Sequence, residues 1–223
     1  MRAMILAAGR GERMRPLTDK TPKPLLKING RHLIEYHIAS LRLAGISELV
    51  INTGWLGEQL PATLGDGRQY GVSIEYSAEP PTAYETGGGI FHALDKLSDP
   101  FIVVNGDIWT DYDYSRLAIK GGILAHLVFV DNPPQHPAGD FAIDDGYARV
   151  DGSEKLTFSG IGCYRKALFE GQQAGSFPLA PILRQHMQDN AVTAEHYRGV
   201  WNDIGTPERL KALDASAGNP PDR

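Results

Sequence analysis

The chain has 223 residues, 42% of them hydrophobic and 22% charged, which is enough to bury one sizeable core. Its formal net charge of -5 argues against a non-specific nucleic-acid binder, because such proteins usually carry a basic excess. The single cysteine, Cys163, excludes an internal disulfide framework and a cysteine-based zinc cluster. There is no apolar run of about 18 residues, so we expect no membrane span. The short apolar run at the N-terminus is followed at once by charges, which predicts a cytoplasmic protein.

Apolar runs typical of buried strands alternate with segments of helical periodicity. In chain order we predict strands at residues 3–7, 49–51, 72–76, 101–104, 123–130 and 156–164, and helices at residues 33–44, 56–64, 89–97, 179–187 and 207–215. This alternation predicts an α/β fold, Rossmann-like and layered, with a mostly parallel mixed sheet in a single domain over residues 1–217. Residues 218–223 are expected to form a disordered tail. Ligands bind at the carboxyl ends of strands in such sheets, so the loops there should carry the site.

A loop rich in glycine and arginine follows the first predicted strand, reading LAAGRGERMRPLT at residues 6–18 and TPKPL at residues 21–25. Residues 10–27 carry six basic side chains and two acidic ones. Gly9 and Gly11 let backbone N–H groups approach a phosphate, and arginine and lysine bind phosphate oxygens. The spacing matches neither a P-loop nor a dinucleotide fingerprint. The residues therefore favour a triphosphate site of another kind, with a solvated basic loop as the alternative.

Two aspartates stand beside turn-forming residues. Asp107 follows the predicted strand at 101–104, and Asp203 lies in the segment WNDIGT at residues 201–206. One interpretation is that each aspartate simply forms part of a turn, since its neighbours are residues common in turns. The other is a metal site, because magnesium prefers oxygen ligands and is usually held by one or two carboxylates together with phosphate oxygens.

The whole loop, with Pro-Lys-Pro at residues 22–24, closely resembles the signature of the sugar-1-phosphate nucleotidyltransferases. One position departs from that signature, since Glu12 stands where the family usually has threonine. The resemblance implies that Arg13 holds the triphosphate and stabilises the leaving pyrophosphate, and that Lys23 contacts the phosphates at the reacting centre. It also implies that the two aspartates bind one Mg²⁺. The nucleotide-binding positions that it implies are Leu6, Ala8, Gly9, Gly11, Glu12, Arg13, Lys23, Gly88 and Asn105.

The segment ETGGGI at residues 85–90 resembles a short subgroup of this family, and that resemblance covers nearly the full length. The subgroup includes N-acetylmuramate-1-phosphate uridylyltransferases and short mannose-1-phosphate guanylyltransferases. The resemblance to this subgroup implies that the substrates are UTP and N-acetylmuramate-1-phosphate. The product would be UDP-N-acetylmuramate, made in peptidoglycan recycling. Three alternatives stay open: guanylyl transfer from GTP to mannose-1-phosphate, cytidylyl transfer, and a regulatory protein that binds nucleotide sugars without turnover.

The resemblance also implies a sugar pocket, formed by Gly139, Asp140, Glu154, Lys155 and Gly160. For Glu154 and Lys155, a solvated hairpin is the alternative interpretation. An N-acetylmuramyl group carries a lactyl carboxylate, which should bind a cation or backbone donors. The candidate cations are Arg149, Arg165, Arg184 and Arg198.

Overall fold

The computed structural model describes residues 1–80 and 84–216, so the tail predicted at residues 218–223 lies outside the described residues. Strands and helices alternate along the described chain. The strands are β1 (Arg2–Leu6), β2 (Lys27–Ile28), β3 (Arg31–His32), β4 (Glu48–Thr53), β5 (Ser73–Ala78), β6 (Phe101–Asn105), β7 (Ile108–Thr110), β8 (Ala125–Val130), β9 (Ala142–Asp144), β10 (Tyr147–Arg149), β11 (Thr157–Tyr164), β12 (Val192–His196) and β13 (Trp201–Asp203). The helices are α1 (Leu33–Leu43), α2 (Gln59–Leu64), α3 (Glu85–His92), α4 (Leu179–Gln188) and α5 (Pro207–Ser216).

Nine strands form one central sheet in the order β5-β4-β1-β6-β11-β8-β12-β10-β9. Seven of them run in one direction, and within the described sheet β11 and β10 run against it. The predicted α/β fold with a mostly parallel mixed sheet is confirmed. Two small antiparallel ribbons, β2–β3 and β7–β13, lie outside the central sheet.

The central strands are buried on both faces, as the continuous apolar run at the N-terminus predicts. Ala3 and Ile5 of β1 pack in one cluster with side chains of α1 and α2. Met4, between them, packs in a second cluster with side chains of α3 and α4. Cys163 of β11 is buried in the first cluster, and burial raises the pKa of its thiol to about 11, consistent with a core residue.

Two predicted helices differ in their bounds. Helix α3 begins at Glu85 and ends at His92, four residues before the predicted start and five before the predicted end. The glycines at 87–89 lie within this helix. Glycine is required at these positions because neighbouring segments approach them too closely for a side chain. Helix α2 begins only at Gln59, which places Pro61 in its first turn, where the missing N–H is tolerated.

A third cluster of apolar side chains fixes the C-terminal helix beneath the glycine-rich loop. Leu210 and Leu213 of α5 pack with Met14 of that loop and with Ile204, which follows β13. The amide of Arg209 donates to Oγ1 of Thr206 at 3.4 Å, so Thr206 caps the N-terminus of α5. The loop, the β7–β13 ribbon and α5 are therefore held together at one edge of the sheet.

Candidate active site

A cavity of about 430 Å³ opens at the carboxyl edge of the parallel strands. Leu6 at the end of β1, Asn52 of β4, Glu79 after β5 and Asn105 at the end of β6 all line it. This is where the fold predicts a ligand site. The structure brings nine of the predicted site residues to this lining: Leu6, Ala8, Gly9, Gly11, Glu12, Arg13, Lys23, Asn105 and Asp107.

The glycine-rich loop has a conformation that requires glycine at position 11. Gly11 has a φ of +61°, and a Cβ there would lie 3.0 Å from Cγ2 of Thr18 and 3.3 Å from Cβ of Lys23. Its carbonyl oxygen accepts hydrogen bonds from the Met14 amide and the Thr18 hydroxyl, both at 2.8 Å. The indole N–H of Trp55 also donates to the Thr18 carbonyl at 3.0 Å, so the loop is tied to the body of the protein.

Both predicted metal-binding aspartates form ion pairs in this structure. Lys23 Nζ lies 2.7 Å from Oδ2 of Asp107, and its side chain is only 8% exposed. Arg209 of α5 lies 2.5 Å from Oδ2 of Asp203. Each carboxylate charge is therefore compensated by a cation, and Lys23 and Asp107 both line the cavity.

The β7–β13 ribbon brings the two aspartates to the same place, although they are far apart in sequence. Asp203 pairs with Ile108, which directly follows Asp107. The amide of Ile204 donates to the carbonyl oxygen of Asp107 at 3.0 Å, and Gly205 lines the cavity. Across residues 1–80 and 84–216, no group of three or more His, Cys, Asp and Glu side chains is placed to hold a metal ion.

A buried histidine that the sequence analysis missed supports this ribbon. His37 of α1 approaches the carbonyl oxygen of Ile108 with Nε2 at 2.9 Å and the hydroxyl of Tyr114 with Nδ1 at 3.1 Å. Burial lowers the pKa of His37 to about 4, so the imidazole is neutral at pH 7. The sequence predicts the helix that carries His37, but partners more than 70 residues away leave no local pattern.

The other side of the cavity carries residues that the sequence analysis also missed. Oε1 of Glu79 accepts from Nδ2 of Asn52 at 2.6 Å, and Oε2 accepts from the Tyr84 amide at 2.9 Å. Oδ1 of Asn52 accepts from the Ala7 amide at 2.6 Å. Glu85 lines the same cavity. The ends of β4 and β5 could have indicated these residues, because parallel strands deliver their carboxyl ends to one edge.

The cavity is therefore asymmetric in charge. The Lys23–Asp107 pair lies beside β6, whereas Glu79 and Asn52 lie on the far side of β1, beside β4 and β5. Phosphate is attracted by the Lys23 ammonium and by backbone N–H groups of the glycine-rich loop, so a nucleotide would place its phosphates on the Lys23 side and its nucleoside on the Glu79 side.

Two predicted glycines lie just outside the lining. A Cβ on Gly88 would lie 2.1 Å from the carbonyl oxygen of Gly175, so this glycine serves the packing of α3 against residues 175–177. Gly160 has a φ of +81°, and a Cβ there would lie 2.5 Å from Nδ2 of Asn105. Gly160 therefore touches a cavity-lining side chain. Binding of ligand by either glycine stays a prediction.

The remaining sugar-pocket residues form one cluster outside the cavity lining, beside the end of β8. Gly139 packs against the backbone of Lys155, and Oδ2 of Asp140 accepts from the Phe158 amide at 2.9 Å. Lys155 Nζ lies 3.4 Å from the carboxylate of Asp151. Glu154 is exposed. The structure brings these residues together at the cavity's edge of the sheet, and their contact with a sugar stays a prediction.

Comparisons with known proteins agree with this geometry. The family model described as "Nucleotidyl transferase" matches residues 2–158. The chain is 51% identical over 228 residues to N-acetylmuramate alpha-1-phosphate uridylyltransferase of Neisseria meningitidis, covering 98% of this chain and 99% of that protein. It is 31% identical to the protein of that name in Caulobacter vibrioides, with coverage of 96% and 95%.

The fold is also found among solved structures. A Bacillus anthracis protein provisionally assigned as a glucose-1-phosphate thymidylyltransferase superimposes with a TM-score of 0.83 at 22% identity, covering 97% of this chain and 94% of that one. At that identity the likeness concerns the fold alone. Among the helices described, none is both long and apolar enough to cross a membrane.

Proposed function

The chain belongs to the nucleotidyl transferase family of enzymes, and on that premise we propose that it transfers the uridylyl group of UTP to N-acetylmuramate-1-phosphate. The products are UDP-N-acetylmuramate and pyrophosphate. The observation that carries the choice of substrates is the near full-length similarity to the Neisseria uridylyltransferase. The cavity supports the reaction class, because a nearly buried lysine and a carboxylate lie 2.7 Å apart within it.

The reaction is an in-line displacement. A phosphate oxygen of the sugar-1-phosphate attacks the α-phosphorus of UTP, and the bond from that phosphorus to the bridging oxygen of pyrophosphate breaks. The nucleophile needs no general base, because the second pKa of a phosphate monoester is about 6 and the group is largely dianionic at pH 7. The obstacle is repulsion between two anions. Catalysis therefore depends on alignment and on fixed positive charge.

The residues of this chain supply both the alignment and the fixed positive charge. The loop around Gly9 and Gly11 presents backbone N–H groups, and Arg13 and Lys23 place cationic side chains along the same wall. Arg13 can bind the β- and γ-phosphates bidentately and stabilise the pyrophosphate as it leaves. Lys23 neutralises charge near the reacting phosphorus, and Asp107 holds its ammonium group in place before substrate arrives.

The family generally uses a divalent metal, and the donor set of this site fits Mg²⁺. Asp107, in the turn just before β7, and Asp203, at the end of β13, offer carboxylate oxygens, and magnesium is commonly bound by such a pair together with substrate phosphates. Both existing ion pairs are made through Oδ2. When bound there, Mg²⁺ supplies further positive charge to the phosphate oxygens.

The sheet topology favours one of the four candidate arginines for the lactyl carboxylate. Arg165 follows β11 at the opposite edge of the sheet, and Arg149 hydrogen-bonds to Asn190 before the start of β12. The Arg184 guanidinium already makes a cation–π contact, since it lies 5.6 Å from the centroid of the Phe141 ring. Arg198 is exposed and follows β12, whose carboxyl end lies at the cavity's edge. We therefore assign the lactyl carboxylate to Arg198.

The proposal extends to the sugar pocket and to the cellular role. The sugar lies between Gly160 and the cluster formed by Gly139, Asp140, Glu154 and Lys155. Residues 1–217 constitute the nucleotidyltransferase domain. The enzyme works in the cytoplasm, in peptidoglycan recycling, where the nucleotide sugar re-enters cell-wall synthesis.

A grid of the four ribonucleoside triphosphates against several sugar phosphates, with pyrophosphate release as readout, tests this function. UTP with N-acetylmuramate-1-phosphate should be the best pair. Failure of that pair with success of another would overturn the substrate assignment. Binding of a nucleotide sugar with no turnover of any pair would support the regulatory alternative.

N-acetylglucosamine-1-phosphate is a matched substrate for the sugar assignment, because it lacks only the lactyl group. Arg198→Ala should remove most of the preference for the muramate substrate over this control, and Arg198→Lys should keep part of it. An unchanged preference in Arg198→Ala would show that another group binds the carboxylate.

A further inference from the structure

Glu85 combines an unfavourable backbone conformation with a place in the cavity wall. It is the first residue of α3, it is exposed, and its φ is +58°. This left-handed conformation disfavours any residue with a Cβ, and glycine would adopt it freely. Residues held in this way are concentrated at functional sites. The glutamate at this position therefore calls for a role that its side chain alone can supply.

The surrounding backbone imposes this conformation from both sides. The amide of Tyr84 donates to Oε2 of Glu79 at 2.9 Å, and the carbonyl oxygen of Tyr84 accepts from the Phe177 amide at 3.1 Å. The Gly88 amide donates to the Phe177 carbonyl at 3.0 Å. These bonds fix the chain before and after position 85 whichever residue stands there. A glycine would fit the fold with less strain.

The chemistry of a carboxylate restricts what Glu85 can bind. An ionised carboxylate only accepts hydrogen bonds, and it repels phosphates. Glu85 belongs to the nucleoside side of the cavity, since α3 begins beside Glu79, across β1 from the Lys23–Asp107 pair. Both oxygens of Glu79 already accept protein donors. Glu85 is exposed to the cavity, and its two oxygens match the two adjacent hydroxyl donors of a ribose.

We propose that Glu85 is a specificity-determining residue that accepts hydrogen bonds from the 2′- and 3′-hydroxyls of the nucleoside triphosphate, so that the enzyme selects ribonucleotides over 2′-deoxyribonucleotides. The proposal rests on the proposed function, which places a nucleoside triphosphate in this cavity. An acidic residue in the first turn of a helix also interacts favourably with the helix dipole. That structural contribution would not depend on whether the ligand carries a 2′-hydroxyl.

Calorimetric binding of UTP and of 2′-deoxy-UTP in the presence of Mg²⁺ tests the proposal. The wild-type protein should bind UTP about tenfold or more tightly than 2′-deoxy-UTP, the effect of one hydrogen bond to a charged group. Glu85→Gly should bring this ratio close to one while raising the melting temperature, because glycine relieves the backbone strain. Glu85→Gln keeps the size of the side chain and should give an intermediate ratio.

Glu12→Gln is the matched control, because it removes a carboxylate from the same cavity on the phosphate side. Its ratio of UTP to 2′-deoxy-UTP affinity should equal that of the wild-type protein. Equal binding of the two nucleotides by the wild-type protein would overturn the inference and leave the proposed function standing. A change in preference among UTP, CTP and GTP with an unchanged ratio would assign Glu85 to the base and overturn it too. Absence of UTP binding by the wild-type protein would refute the proposed function itself.

Discussion

Replacing Lys23 with methionine removes one positive charge from the cavity wall and keeps an unbranched side chain of similar length. The lysine side chain is 8% exposed, that of its partner Asp107 is 38% exposed, and both residues line the cavity. In the substrate complex, Lys23→Met removes the fixed cation that would neutralise negative charge near the reacting phosphorus. The variant therefore separates catalysis from folding.

The two effects have different expected sizes. Loss of one fixed donor at a developing charge typically costs about 10²–10³ in rate, or roughly 3–4 kcal/mol of transition-state stabilisation. The effect on stability should be within about 1 kcal/mol, because the loss of the ion pair is offset by the removal of a nearly buried ammonium group. Asp107 remains accessible to water, so its charge is not stranded.

Pyrophosphate release at saturating UTP and sugar phosphate gives kcat, and thermal unfolding reports stability. Lys27→Met is the matched control: this lysine is exposed on β2, four residues along the same segment, and the variant should retain wild-type turnover. Near wild-type kcat in Lys23→Met would refute the assigned role. A loss of kcat accompanied by a melting temperature lowered by ten degrees or more, about the scale of several kcal/mol, would show that the lysine acts through folding.

Three further outcomes are expected. Because the pKa of His37 is about 4 in the folded protein and 6.5 in the unfolded chain, stability should fall by about 3 kcal/mol as the pH falls from 6.5 to 4. Urea unfolding should show that His37→Gln removes this part of the slope. Gly11→Ala should destabilise the protein by about 1–3 kcal/mol in thermal unfolding, whereas Gly9→Ala, with no atom within 4 Å of the added Cβ, should be nearly neutral. Excess EDTA should abolish pyrophosphate release and Mg²⁺ should restore it; full activity in EDTA would contradict a metal role for Asp107 and Asp203.

The sequence predicted the cavity residues around Lys23 more completely than those around Glu79. Residues 6–25 form one continuous segment, so its glycines and cations could be recognised together. Asn52 and Glu79 come from separate strand ends, and their role becomes visible only when β4 and β5 lie beside β1. A hydrogen bond between residues 27 positions apart leaves no local pattern.

Apolar runs of strand length and helical periodicity determined the fold class, and the cationic loop with its glycines indicated phosphate binding. The reaction class came from the resemblance of that loop to the sugar-1-phosphate nucleotidyltransferases. The short strands β7 and β13 went unpredicted because each has three residues and becomes a strand only by pairing with the other. That pairing places Asp203 beside Ile108, the residue after the cavity-lining Asp107, and α5 places Arg209 against Asp203. Contacts between residues far apart in the chain depend on how the layers pack, and this information belongs to the tertiary structure.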